Sequence, residues 1–166
     1  MVLMFKYLLI VSFCHCYMYT FRFITYLVNM PSLSESCVVC KSSTLVGDVS
    51  IGPNTILHPF VRIIARSGPI VIGEHNIIEE NVEIINDAEE DSVMIIGSNN
   101  HIEVGARIRS LKVGNNNIIG SNTFLDQHVT LSYGCVVTPG ISINQKMHLP
   151  LKSLIKYFGR KRMKYF

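Results

Sequence analysis

Aliphatic side chains recur six residues apart along most of this chain. Leu33, Val39, Leu45, Ile51, Leu57 and Ile63 open the series, and Ile72, Ile78 and Ile84 resume it. Ile96, Ile102 and Ile108 follow, then Val113, Ile119, Leu125, Leu131, Val137 and Ile143. A helix buries residues at spacings of three and four, and a half-buried strand alternates every two. A period of six fits neither. It fits very short strands that turn a corner after each hexad, so that three hexads close a triangular coil and successive coils stack about 4.8 Å apart. The predicted fold class is all-β, a triangular parallel β-helix in which every coil is buried by its neighbours.

The remaining columns agree. Four residues after most anchors the side chain is small or an amide, as at Cys37, Ser43, Val49, Thr55, Val61, Ala106, Thr123 and Cys135. A narrow interior shared with large aliphatics requires this. Grouping the anchors in threes gives six coils, starting at Leu33, Ile51, Ile72, Ile96, Val113 and Leu131. Gly52, Gly73, Gly97 and Gly114 then share one column, which predicts a positive φ or a close backbone approach. Asn54, Asn76, Asn99, Asn100, Asn115, Asn116 and Asn117 follow at the corner, where left-handed turn conformations suit asparagine. Asn76, Asn100 and Asn117 occupy equivalent positions in adjacent coils and are expected to form an internal amide ladder. The irregular spacings all follow a third hexad, so the loops should leave from one edge of the prism.

Charge divides the chain. Residues 1–30 hold Lys6 and Arg22 without acids, and residues 146–166 hold seven bases without acids, which leaves 6 of the 15 bases against all 12 acids, a balance of −6, in residues 31–145. A basic nucleic-acid-binding face is not expected on such a body. The five cysteines form no readable disulfide framework. Cys37 and Cys40 have the spacing of a redox or zinc pair but no second pair, and Cys14, His15 and Cys16 are too tight for tetrahedral zinc. A structural role in a reducing compartment is the expectation for them.

Three segments are anticipated. Residues 1–30 read as a non-native or targeting-like apolar extension, with Met30 the expected start, because the uncharged run from Tyr7 to Phe21 is short for a membrane span and has no A-x-A-like site. Residues 31–145 form the β-helix. Residues 146–166 read as a basic amphipathic tail with a short helix, since Leu151, Leu154, Ile155 and Phe158 keep helical spacing after Pro150.

The hexads are similar to those of hexapeptide-repeat acyltransferases and γ-class carbonic anhydrases, which implies coils that wind left-handed against the usual crossover preference. More narrowly, Gly47 to Pro59, Ile63 to Gly73, Ile77 to Glu80, Ile84 to Asn86, Met94 to Asn100 and Glu103 to Gly105 resemble the dynactin subunit 6 family, over about residues 33–137. That resemblance implies a non-catalytic structural subunit of the dynactin pointed-end subcomplex, without cofactors. It implies dynactin subunit 5 and other pointed-end subunits as partners, with dynein and cargo membranes reached indirectly, in the cytoplasm and on the cytoskeleton. The divergent C-terminus departs from the family.

An enzymatic alternative is weighed on the histidines. A γ-carbonic anhydrase-like site needs three imidazoles converging on one zinc, two of them in a His-x4-His pair, and the chain has no such pair. His58, His75, His101 and His128 fall at different hexad positions. An acyltransferase base at His58 or His75 has no supporting polar constellation. No catalytic, cofactor-binding or metal site is therefore predicted. The candidate site is an outward ladder of Arg62, Glu83 and Arg107, five residues after successive second-hexad anchors, where alternating charge can set the register of a docked partner.

Overall fold

The computed structural model describes residues 30–156 and 164–165. The expected 1–30 extension, Cys14, His15 and Cys16, and the C-terminal residues Phe158, Arg160, Lys161 and Arg162 lie outside them, Met30 and the Lys164–Tyr165 strand excepted. Every strand of the solenoid pairs in parallel with the strand three places further along the chain, so three sheets form the faces of a prism. The first face has seven strands, from Ser32–Leu33 to Met147–Leu149. The second runs from Val38–Val39 to Leu154–Lys156 and gains an antiparallel eighth strand, Lys164–Tyr165. The third has six, from Thr44–Val46 to Ser142–Ile143. Ile51, Ile72, Ile96, Val113, Leu131 and Leu149 stand in register, so the grouping of anchors in threes is the one the coils adopt.

The anchors from Ile51 onward are buried in one continuous core. Those of the first coil are not, because among the described residues that coil has a neighbouring coil on one side only. Leu33 remains 45% exposed, and Val39 and Leu45 are half-buried against the core.

Among the described residues no C-terminal helix is formed, and the solenoid continues instead. Leu149 and Ile155 extend the period of six from Ile143, pair with Leu131 and Val137, and are fully buried. Helical spacing would have gathered Leu151 with Leu154 and Ile155, but Leu151 is 69% exposed. Burial of two aliphatics in a ready-made column, worth roughly 1.5–3 kcal/mol each, outweighs the weak propensity of a short helix. A partial seventh coil results.

Corner geometry is strict. Three residues after first-face anchors, Asn54, His75, Asn99 and Asn116 have φ between 55° and 57°. Asn81, Gly105, Asn122 and Gly140 take φ between 55° and 74° three residues after second-face anchors. The left-handed role anticipated for asparagine thus holds at Asn54, Asn99 and Asn116, while His75 takes it in place of Asn76. Phe60 has φ 63° at this position, a conformation that costs a residue with a Cβ about 1–2 kcal/mol.

The glycine column serves close approach, not positive φ. A Cβ on Gly73 would stand 2.8 Å from the carbonyl of Gly97, and one on Gly97 would stand 2.7 Å from the Gly114 oxygen. Backbone lies on backbone at this corner.

The asparagine ladder is present. Asn76 Nδ2 donates to the Gly97 carbonyl at 2.9 Å, and Asn76 Oδ1 accepts from the Asn100 N–H at 2.9 Å and from its amide at 3.0 Å. Asn117 repeats the pattern on Asn100, and its own Oδ1 accepts from the Cys135 N–H at 2.7 Å. These side chains serve inward-facing corner N–H groups, and no buried side-chain nitrogen or oxygen among the described residues lacks a partner.

All departures from the period fall between the third and first faces, as expected. Asn86 ties two of those loops, its buried amide donating to Gly68 O at 3.0 Å and to Ser92 O at 2.6 Å.

Candidate functional site

The four solenoid histidines named above are held apart. His58 lies past the second-face strand Ile56–Leu57, with Nδ1 at 2.9 Å from Glu80 Oε1. That hydrogen bond is the main reason the Glu80 carboxyl is held below the ordinary carboxylate range. His101 lies on the second face itself, with Nε2 at 2.6 Å from Glu79 Oε1, and the other Glu79 oxygen accepts from the Val104 N–H at 3.0 Å. His75 stands at the first corner beside Asn54, and His128 at the loop edge beside Gln127. Among the described residues no three His, Cys, Asp or Glu side chains are gathered so as to hold a metal ion. Cys37 is half-buried and its thiol is pushed up by burial, whereas the Cys40 thiol is lowered by its hydrogen bond to Ser42. Cys135 is buried, with Sγ 3.2 Å from Pro150 O, as suits a small hydrophobe in a core column.

Arg62, Glu83 and Arg107 do stand on successive rungs of the third face, in register. Arg62 Nη1 donates to Glu83 Oε1 at 2.5 Å, with the two side chains 49% and 29% exposed. An ion pair this open to solvent contributes about 0–1 kcal/mol. Arg107 is exposed and makes no ion pair among the described residues. Next along the row come Phe124 and Ser142.

A second row escaped the sequence reading. The outward residues of the second face are Val38, Ile56, Ile77, Ile118, Val136 and Leu154, with His101 the one polar rung. The signal was available: second hexads carry aliphatic doublets, such as Ile77-Ile78, Ile118-Ile119 and Val136-Val137, whose first member points out and second member in. On the first face the corresponding row reads Ser50, Val71, Ile95, Lys112 and Thr130, and on the third it is mostly polar.

No family model matches the chain. A Bacillus cereus protein described as an acetyltransferase superposes with a TM-score of 0.54 at 22% identity, covering 85% of this chain and 79% of that one. At that identity the likeness speaks for the fold alone, the left-handed β-helix of hexapeptide-repeat transferases. Sequence relatives are nearer. Dynactin subunit 6 of Xenopus tropicalis is 43% identical over 114 residues, which are 63% of this chain and 57% of the relative. Dynactin subunit 6 of Danio rerio is 42% identical over 133 residues, 74% of this chain and 68% of the relative. The Nematostella vectensis protein of that name is 39% identical over 132 residues, 74% and 72%. The chain thus spans just over half the length of one relative and about two thirds to three quarters of the others. With identities of 42% and 39% over about three quarters of its length and more than two thirds of each relative, the chain belongs to the dynactin subunit 6 family.

Proposed function

We propose that this chain is a non-catalytic structural subunit of dynactin, working in the pointed-end subcomplex beside dynactin subunit 5 and supporting dynein-driven, microtubule-based transport in the cytoplasm and on the cytoskeleton. The observation that carries this reading is the 42% identity to the Danio rerio subunit over 133 residues. The histidines support this reading: His58, His75 and His128 stand near different corners and His101 on the second face, each with its own partner. On the third face, Arg62, Glu83 and Arg107 are the residues proposed to meet subunit 5, where an alternating charge pattern fixes register more than it adds affinity.

Affinity purification of the tagged chain from cells tests the reading. Dynactin subunits, subunit 5 among them, should co-purify in constant ratio. Glu83→Lys should weaken that recovery while leaving the thermal melt nearly unchanged. Purified protein that hydrates CO2 or transfers an acyl group, and brings down no dynactin subunit, would overturn it in favour of a hexapeptide-repeat enzyme.

A further inference from the structure

The outward row of the second face is apolar where a solvated sheet would be polar. Val38 is 59% exposed, Ile56 38%, and Ile77 and Ile118 41% each. Phe60 and Val104, exposed at the corner after this face, widen the strip. Aliphatic side chains on six of the seven rungs, with His101 between Ile77 and Ile118, give a flat and mostly apolar surface, which in a folded protein marks a contact site.

Its size suits a stable contact. Seven rungs at about 4.8 Å make the face about 30 Å tall, and hexads of about 3.3 Å per residue limit its width to about 20 Å. The planar area of about 600 Å² becomes, with side-chain relief, close to the ~800 Å² per partner of a standard interface.

Its rim says what lies opposite. Over 73–81 and 97–105 the two corners bordering the strip carry Glu74, Glu79, Glu80 and Glu103, and no Lys or Arg; 52–60, 114–122 and 132–140 carry no charged residue, and the two end segments carry Glu35 with Lys41 and Lys152 with Lys156, so the rim is acidic over the middle of the strip. The central bases, among them Arg62, Arg107 and Lys112, stand on the other two faces. Two copies apposed through the central rungs of this face would set acid against acid around a desolvated strip, where like charges are costly. We propose that the second face is a docking surface for a different protein, one that presents a flat apolar strip bordered by Lys or Arg side chains. This rests on the subunit reading above and assigns that subunit a contact face distinct from the Arg62, Glu83 and Arg107 row.

The test uses the full chain and purified dynactin pointed-end subunits reconstituted without subunit 6. The variant Ile56→Thr/Ile77→Thr/Ile118→Thr keeps β-branched residues and leaves the core anchors alone; Val71→Thr/Ile95→Thr removes comparable aliphatics from the first face. The second-face variant should bind at least tenfold more weakly with an unchanged melt, and the first-face variant should bind as wild type. Wild-type binding should weaken as salt rises from about 0.05 to about 0.3 M, because the complementary rim is screened. If the triple variant melts early, Ile118→Lys replaces it with the same readout. Undiminished binding of the second-face variant overturns this proposal alone, and binding insensitive to salt overturns the basic rim. Failure of the wild type to bind overturns the subunit reading and this proposal with it. A wild-type dimer in sedimentation that the triple variant abolishes assigns the face to a second copy and overturns the proposal.

Discussion

Asn100 Oδ1 accepts two hydrogen bonds from Asn117, one from its backbone N–H at 2.9 Å and one from its amide at 3.1 Å. Both donors are buried, so Asn100→Ala leaves them unserved, at a cost of about 1–3 kcal/mol each. A loss of about 2–5 kcal/mol in chemical denaturation is expected. An unshifted midpoint would mean that solvent reaches this column.

Ile78 is fully buried between Leu57 and Ile102 on neighbouring coils. Ile78→Val should cost about 0.5–1.5 kcal/mol. Ile78→Asp places a carboxylate in the core and should unfold several coils together, because each coil is stabilised by the next. Circular dichroism melts of the two variants check this; a cooperative, unshifted melt for the aspartate would contradict the stacking.

Phe60 holds a left-handed φ of 63° although its side chain is 59% exposed. Phe60→Gly removes the Cβ conflict at little cost in contacts, and stability should rise by about 1 kcal/mol. A lowered melting temperature would show that the ring makes a contact worth more than the strain.

The Glu80 carboxyl is held below the ordinary carboxylate range, first by its hydrogen bond with His58 and then by its own backbone N–H. A carboxyl whose pKa is lowered in the folded state contributes stability above the ordinary carboxylate range. That contribution is lost as pH falls through the lowered value. His58→Ala should move the Glu80 titration, followed by NMR, upward toward the ordinary range and flatten this part of the acid dependence. An unmoved titration would assign the shift to the backbone.

The period of six made the coils, their grouping and the loop edge legible, because a solenoid repeats the same burial decision at every anchor. The amide ladder was legible for the same reason, since Asn76, Asn100 and Asn117 share one column. The end of the solenoid was misread where two periodicities compete: Leu151, Leu154 and Ile155 satisfy helical spacing, while Leu149 and Ile155 satisfy six. Neighbouring coils decide between them, and a short window of sequence does not contain the neighbours. The apolar row of the second face was missed because inward anchors draw attention to the second member of each aliphatic doublet. Only in register do the first members line up as a surface.

From Ile51 to Leu149 the first two corners keep a positive φ three residues after each anchor, whereas the third edge accepts steps from five residues, Ile108 to Val113, to twelve, Ile84 to Ile96. The prism therefore has a single seam along which chain can be added or removed without disturbing the stack. Individuality in a molecule built this way accumulates along one line, and the two remaining ridges stay straight enough to serve as rulers against which a neighbour is aligned.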